Sequence, residues 1–229
     1  IAEGPHLRFQ IQTFSYYLLT GDGKAPDEEF ISLLSKGGVR HTTIGVENSC
    51  EHCLLSFKKP QKLDQIPALI KMLKKYNIRP YLLNILFPPE AKLECLRYNV
   101  KTLREWMNCG ASISIEANVM CYRGASLYHS DHLMLYKLRD VGENEKMRTP
   151  IAIISDDPRV RWVQKRFNER YIEFIGDKEL RHKFKGATGK YLVDLLEECL
   201  DEQERVNGQS DGLGIKQWLW NGVVYPIKT

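Results

Sequence analysis

Two hydrophobic periods alternate along this chain. Residues 7–13 (LRFQIQT) switch between apolar and polar at every position, which predicts a strand. Asp22 and Gly23 mark a turn. Pro26 and Asp27 then open a helix with an acidic first turn and an apolar face of Phe30, Ile31, Leu33 and Leu34, and Gly37 and Gly38 end it. Residues 41–47 (HTTIGVE) are rich in β-branched side chains and predict a second strand, followed by a loop with Ser49, Cys50 and Cys53. The 3.6-residue period returns over 63–76, with Ile66, Leu69, Ile70 and Leu73 on one face, lysines on the other and Asn77 placed to cap the end. Residues 79–87 (RPYLLNILF) are almost continuously apolar, as a strand buried on both faces would be, and Pro88 and Pro89 stop them. A second amphipathic helix over 91–108 carries Leu93, Leu96, Val100, Leu103 and Trp106, and Cys109 with Gly110 closes it. Residues 112–121 (SISIEANVMC) alternate again.

Strand–helix–strand units at roughly 35-residue spacing predict right-handed crossovers and a parallel sheet. Periodicity does not choose between a barrel and an open sheet. In both, the chemistry belongs at the carboxyl ends of the strands. After Tyr128 the pattern loosens. Residues 147–154 predict one strand, and Ser155, Asp156, Asp157 and Pro158 make a turn and helix start for 160–170. Residues 190–205 form a strongly amphipathic helix, and Trp218, Trp220 and 223–225 suggest a hairpin or edge strand. The division expected is 1–130, a set of βα units, and 131–229, a C-terminal extension that completes or caps them.

Composition narrows the function. With 229 residues, 43% of them hydrophobic, the chain can bury one sizeable core. A net charge of +4 with acids and bases interspersed gives no strong nucleic-acid signal. No apolar run is long enough to span a membrane. Six cysteines are too few for a disulfide scaffold and fit a reducing, cytoplasmic compartment, most of them as thiols filling apolar space.

Two strand ends carry a resemblance. Residues 37–60 read GGVRHTTIGVENSCEHCLLSFKKP, and 122–128 read YRGASLY. The first is similar to a passage common in radical S-adenosylmethionine enzymes, a strand ending in Gly-Ile/Val-Glu-Ser, then a leucine and a Lys-Pro pair. Gly45, Val46 and Glu47 match, with Asn48 where serine is usual. The second resembles the Tyr-Pro-Gly-Thr-x-Leu-Tyr segment after that family's sixth strand, with Arg123 and Ala125 replacing proline and threonine. Between them, LFPPE (86–90) departs from the family's Gly-x-x-Glu turn, and LRFQIQT lacks the arginine often found near the end of its strand.

The resemblance implies an α/β fold: a partial (βα) TIM-like barrel of parallel strands with outer helices, plus a mixed C-terminal extension. It implies S-adenosylmethionine as cofactor, with Gln10, Gln12, Glu47, Asn48, Asn84, Met120, Cys121 and Arg123 forming an adenosine-binding, substrate-facing wall. Arg123 is suited to an anionic group through its two-pronged donor geometry. The family holds a 4Fe–4S cluster on a Cys-x3-Cys-x2-Cys loop after the first strand. This chain lacks that loop, since Val46 stands where the first cysteine would precede Cys50 and Cys53, and the pair follows a different strand. The family's Gly-Gly-Glu turn is also missing, and both features are expected upstream of Ile1, with the first two of six βα units. The YRGASLY segment raises cobalamin as a further cofactor. On this reading the chain does not ligate the cluster and is inactive alone. An open sheet edge would then receive a missing fragment or an oligomer contact.

Other readings stand beside this one. The alternative reading is a non-catalytic partial barrel that binds a ligand or partner. His129, Asp131 and His132 could serve a metal-dependent hydrolase barrel, against a plain reading as a polar helix start before Leu133 and Leu135. Cys50, His52 and Cys53 are a zinc-like set without a second ligand pair. Ser155, Asp156 and Asp157 read as a helix cap, and Glu90 as a charge at a helix N-terminus.

Overall fold

The computed structural model describes residues 8–55, 57, 61–119, 134–140 and 146–207, and one short strand pair beyond them, 219–220 and 223–224. Strands β1 (Phe9–Phe14), β2 (Val39–Glu47), β3 (Arg79–Phe87) and β4 (Ser112–Asn118) form one parallel sheet in the order β1-β2-β3-β4. The intervening helices are α1 (Glu28–Lys36), the short α2 (Glu51–Leu54), α3 (Ile66–Lys75) and α4 (Leu93–Asn108). The α/β class and parallel pairing expected from the two alternating periods are therefore present.

The signals that begin and end these elements act as anticipated. Asp27 caps α1 by accepting from the Phe30 amide, and the acidic Glu28 and Glu29 face the positive end of the helix dipole. Asn77 takes up a left-handed conformation (φ 56°) after α3, as a helix-ending asparagine does. Gly110, at φ 103°, turns the chain from α4 into β4, a backbone geometry that side chains disfavour.

Each strand shows two unlike faces. Thr42, Ile44 and Val46 of β2, Leu82, Asn84 and Leu86 of β3, and Ile113, Ile115 and Ala117 of β4 are buried toward the helices. On the opposite face Gln10, Gln12, Tyr81 and Glu116 are exposed, and Leu83 and Ile85 are half-buried. The continuous apolar run of β3 is thus buried fully on one face only. The core unites Ile31, Ile66, Leu69, Ile70 and Leu73 with Leu96, Leu103 and Trp106 beneath the sheet.

Beyond β4 the chain forms β5 (Met134–Asp140) and β6 (Lys146–Ile153), an antiparallel pair. Then come α5 (Pro158–Gly176), α6 (Lys178–Lys183) and α7 (Thr188–Asn207). Short antiparallel strands β7 (Leu219–Trp220) and β8 (Val223–Val224) give the tail the hairpin pairing its sequence suggests. The helix start expected before Leu133 and Leu135 is corrected, because Met134–Asp140 is a strand. The reason is legible afterwards: Met134, Tyr136 and Leu138 alternate with Leu135, Lys137 and Arg139, a period of two. Asp157 caps α5 by accepting from the Arg159 amide, as a Ser-Asp-Asp-Pro start should.

Helix α7 lies beside α4, β4 and α5, held by arginines on both sides. From α4, Arg97 meets Asp201 (2.7 Å) and Glu204 (2.8 Å), and Arg104 meets Asp194 (2.7 Å) and Glu197 (2.6 Å). From α5, Arg166 meets Glu202 (3.1 Å) and Arg170 meets Glu198 (2.5 Å). Arg104 reaches both oxygens of Glu197, a two-pronged arrangement. These groups are partly exposed, so each pair contributes modestly. Arg104→Ala is expected to lower stability by about 1 kcal/mol, read from urea unfolding, and 1 M salt should shrink the difference between variant and parent. An unchanged difference at high salt would assign the loss to packing of the arginine stem instead.

Candidate functional site

The carboxyl ends of β1 and β2 bring together the most distinctive groups of the sheet. Strand β2 pairs in regular register with β3 up to Gly45, and then slips before Glu47 pairs with Asn84. At that irregularity Glu47 adopts φ 69°, the left-handed region that a glutamate rarely occupies. Sparsely populated backbone of this kind persists only where surrounding structure imposes it, and it concentrates at ligand sites.

Gly45 explains how the local arrangement fits. A Cβ placed on it would lie 3.1 Å from Glu47 Oε1 and 3.2 Å from Cε1 of Phe14. The carboxylate of Glu47 and the ring of Phe14 thus both lie over the bare backbone of Gly45, on the face turned away from the helices. Phe14 begins an aromatic group, stacked on Tyr16 at 5.9 Å between centroids, with Tyr17 4.1 Å from Tyr16. A hydrogen bond shared with Tyr17, and then burial, raise the Tyr16 hydroxyl above its ordinary pKa. Behind this wall Gln61 donates to the Gly45 carbonyl at 2.7 Å and accepts from Ser15, which ties the loop after α2 to β2 and to the turn that follows β1.

The other proposed wall residues take different positions. Gln10 is exposed on the same face and donates to Thr43 at 3.0 Å, and Gln12 is exposed beside it. Asn48 is fully buried. Its amide donates to the Ile85 carbonyl at 2.7 Å and its oxygen accepts from the Cys50 amide at 2.8 Å, so it fastens the β2 loop to β3. Asn84 is also fully buried but faces the helices, and neither its amide nitrogen nor its oxygen has a hydrogen-bond partner. Met120, Cys121 and Arg123 lie outside the described residues, as do His129, Asp131 and His132.

Toward β4, Asn118 accepts from Gln164 at 2.8 Å and donates to Asn168 at 3.0 Å, joining the end of the sheet to α5. Ser155 donates to the Pro89 carbonyl at 3.2 Å, so the start of α5 is tied to the loop after β3. Burial, then the charges of Glu116 and Tyr81, raise the pKa of Tyr171, which stacks on Phe167 of the same helix at 6.1 Å between centroids.

The loops after β2 and β3 also meet through sulfur. The Sγ atoms of Cys50, Cys53 and Cys95 all lie within 4.8 Å of one another. Sequence alone pairs Cys50 with Cys53 and His52. It misses Cys95, which sits 42 positions beyond Cys53 and reaches the pair only because β2 and β3 are neighbours. Glu90 precedes α4 rather than joining its first turn, which holds Glu94 instead. One Glu90 carboxylate oxygen is buried without a hydrogen-bond partner. Burial, then the neighbouring Cys95 and Cys50, push the Cys53 thiol well above its ordinary pKa.

No protein-family model matches the chain, and no curated protein matches it significantly. Solved structures do resemble it. The cobalamin-dependent S-adenosylmethionine radical enzyme OxsB, solved with aqua-cobalamin bound, aligns with 88% of this chain and 35% of its own, at 12% identity and a TM-score of 0.57. The radical S-adenosylmethionine methyltransferase TsrM from Kitasatospora setae, solved with cobalamin and a 4Fe–4S cluster, aligns with 79% of this chain and 43% of its own, at 13% identity and a TM-score of 0.41. This chain spans about a third of the OxsB chain, and what it shares with OxsB is the α/β fold with its parallel sheet.

Proposed function

We propose that this chain is the later part of a radical S-adenosylmethionine-type partial barrel, and that the open face at the ends of β1 and β2 binds the adenosine portion of S-adenosylmethionine. The observation that carries the reading is the left-handed Glu47 held over Gly45 beside Phe14. A carboxylate at a strand end can accept from both hydroxyls of a ribose, as acidic residues do in dinucleotide sites. Phe14 and Tyr16 offer ring faces against which a purine can stack. Gln10 and Gln12 add exposed amides on the same face, and Asn48 holds the loop that sets Glu47 in place.

The donor set in these strands suits a nucleoside and does not suit a 4Fe–4S cluster. The close thiols of Cys50, Cys53 and Cys95 are crowded for a cubane, in which each thiolate ligates a different iron. On this reading the cluster, and the radical chemistry that S-adenosylmethionine supplies with it, belong to other parts of the parent protein. This chain's residues bind and orient the nucleoside and keep water from it.

Calorimetric titration with S-adenosylmethionine, S-adenosylhomocysteine and adenosine tests the reading. All three should bind, because they share the nucleoside. Glu47→Gln should weaken each by about tenfold or more, the loss of a charge-assisted hydrogen bond. Gly45→Ala should weaken them further by displacing both Phe14 and Glu47. Equal affinity in Glu47→Gln and the parent would remove the ribose assignment.

A second reading rests on β1, which pairs only with β2 among the described residues and leaves Phe9 about half exposed (47%). Such a parallel edge invites another strand. On that reading the chain is a non-catalytic piece that docks to a partner or a second copy through β1. It predicts concentration-dependent mass in sedimentation with no nucleoside binding.

A further inference from the structure

We propose that Cys50, Cys53 and Cys95 bind one zinc ion, with Glu90 as the fourth ligand. The proposal does not depend on the nucleoside reading.

Three thiols drawn from two loops converge here. Cys50 caps α2 and Cys53 lies three positions on, so the two share one side of that turn, while Cys95 sits in the first turn of α4. Their sulfurs lie within 4.8 Å of one another. Tetrahedral zinc with Zn–S bonds of about 2.3 Å sets neighbouring sulfurs about 3.8 Å apart, so small movements bring the three sulfurs to the ion. Cys53 is fully buried, Cys95 is nearly so and Cys50 is half-buried, which suits a closed structural site. Thiolate-rich tetrahedral sets favour zinc over the harder divalent ions.

Glu90 gives an independent reason. Its Oε1 is buried without a hydrogen-bond partner, and its backbone carbonyl meets His52 of α2. Its carboxylate is not among the donor atoms that lie within 4.8 Å of one another, so it must turn in to ligate. A buried carboxylate oxygen left unpaired is costly. A divalent cation among the three sulfurs would offset that cost. His52, the alternative donor suggested by sequence, is exposed and turns its ring nitrogen to the Glu90 carbonyl at 3.3 Å. That contact orients the Glu90 segment instead.

The surrounding loops are already held in place. Asn48 ties the β2 loop to Ile85, and Ser49 donates to Asn99 of α4 at 2.6 Å. None of the five described cysteines forms a disulfide, and Cys109 and Cys199 stand outside the cluster. On binding, each of the three thiols releases its proton to solvent and its sulfur lone pair forms the bond to zinc. The ion would then lock together the loops after β2 and β3, at the carboxyl rim of the sheet.

The test uses the full chain purified from zinc-supplemented medium. Elemental analysis should find about one zinc per chain, and cobalt(II) in its place should give the intense visible bands of a tetrahedral thiolate site. Cys50→Ser, Cys53→Ser and Cys95→Ser should each weaken zinc binding at least tenfold, and Glu90→Gln about tenfold, in competition with a chelator. Cys109→Ser and Cys199→Ser should bind as the parent does. Should a serine variant fail to fold, the parent still decides the matter: zinc should protect Cys50, Cys53 and Cys95 from alkylation, as mapped by mass spectrometry. Zinc-free protein after reconstitution, or protection mapped to other cysteines, would overturn the site. Stoichiometric iron with acid-labile sulfide on these cysteines would replace it with a cluster. Unchanged affinity in Glu90→Gln would overturn the fourth ligand.

Discussion

Gly189→Ala is expected to destabilise the protein by about 2 kcal/mol, although alanine is the better helix former by about 1 kcal/mol. The two effects oppose each other, so the sign of the result is informative. Gly189 is the second residue of α7, and a Cβ on it would lie 2.3 Å from the Ile113 carbonyl oxygen and 3.1 Å from its carbon. Those are backbone atoms of β4, which cannot rotate aside as a side-chain tip can. Either α7 lifts from the sheet or β4 bends. Gly189→Val should cost still more. Gly176 is the matched control, because a Cβ there meets nothing within 4 Å, and Gly176→Ala should leave stability within about 0.5 kcal/mol. Chemical denaturation of the three variants measures both predictions. A stabilised Gly189→Ala would mean that helix propensity governs the position and that α7 does not approach β4 this closely.

The second large effect has the opposite direction. Asn84→Val is expected to raise stability by about 1–3 kcal/mol. Asn84 is fully buried in the middle of β3 with both ends of its amide unpaired, facing the helices between Leu82 and Leu86. The folded state carries the desolvation cost of a donor and an acceptor, and valine removes both while suiting a strand. Asn84→Asp provides the contrast, since a buried carboxylate without a partner should destabilise strongly. The same pair bears on function. If Asn84→Val gains stability and leaves nucleoside binding unaltered, Asn84 has no part in the wall formed by Gln10, Gln12 and Glu47. If binding falls while stability rises, the asparagine is retained for its ligand. Loss of stability would mean that its amide is satisfied.

Much of the fold was legible because it is written in short-range patterns. The period-two runs marked β1 and β4, β-branched residues marked β2, the 3.6-residue runs marked α3, α4 and α7, and capping residues such as Asp27, Asn77 and Asp157 set boundaries. What failed was equally physical. Polar residues ahead of Met134 read as a cap, and the alternation of Met134, Tyr136 and Leu138 in β5 was missed. Helix α6 is six residues long and entirely non-buried, so it leaves little hydrophobic trace.

The candidate site was legible only in part. GVEN marks the end of β2, but no local signal foretells that Glu47 is left-handed or that Phe14 shares the space above Gly45. Cys95 looks like any small apolar residue on the inner face of α4, and its meeting with Cys50 and Cys53 depends on strand order. Asn84 stood out as a polar residue in an apolar run. Which face it occupied depended on the register of β3 against its neighbours.

The docking of α7 against α4 and β4 sets an order of events during synthesis. Thr188 follows Asn118 by 70 positions, and the helix ends at Asn207. A ribosome adding about 5–20 residues per second therefore needs roughly 4–14 s between finishing β4 and beginning α7. Throughout that interval the nascent chain must hold the apolar flank formed by Ile113, Ile115 and Ala117 without its final cover. The arginines of α4 that later grip α7 are made before their acidic partners, so Arg97 and Arg104 stay paired with water until the helix arrives.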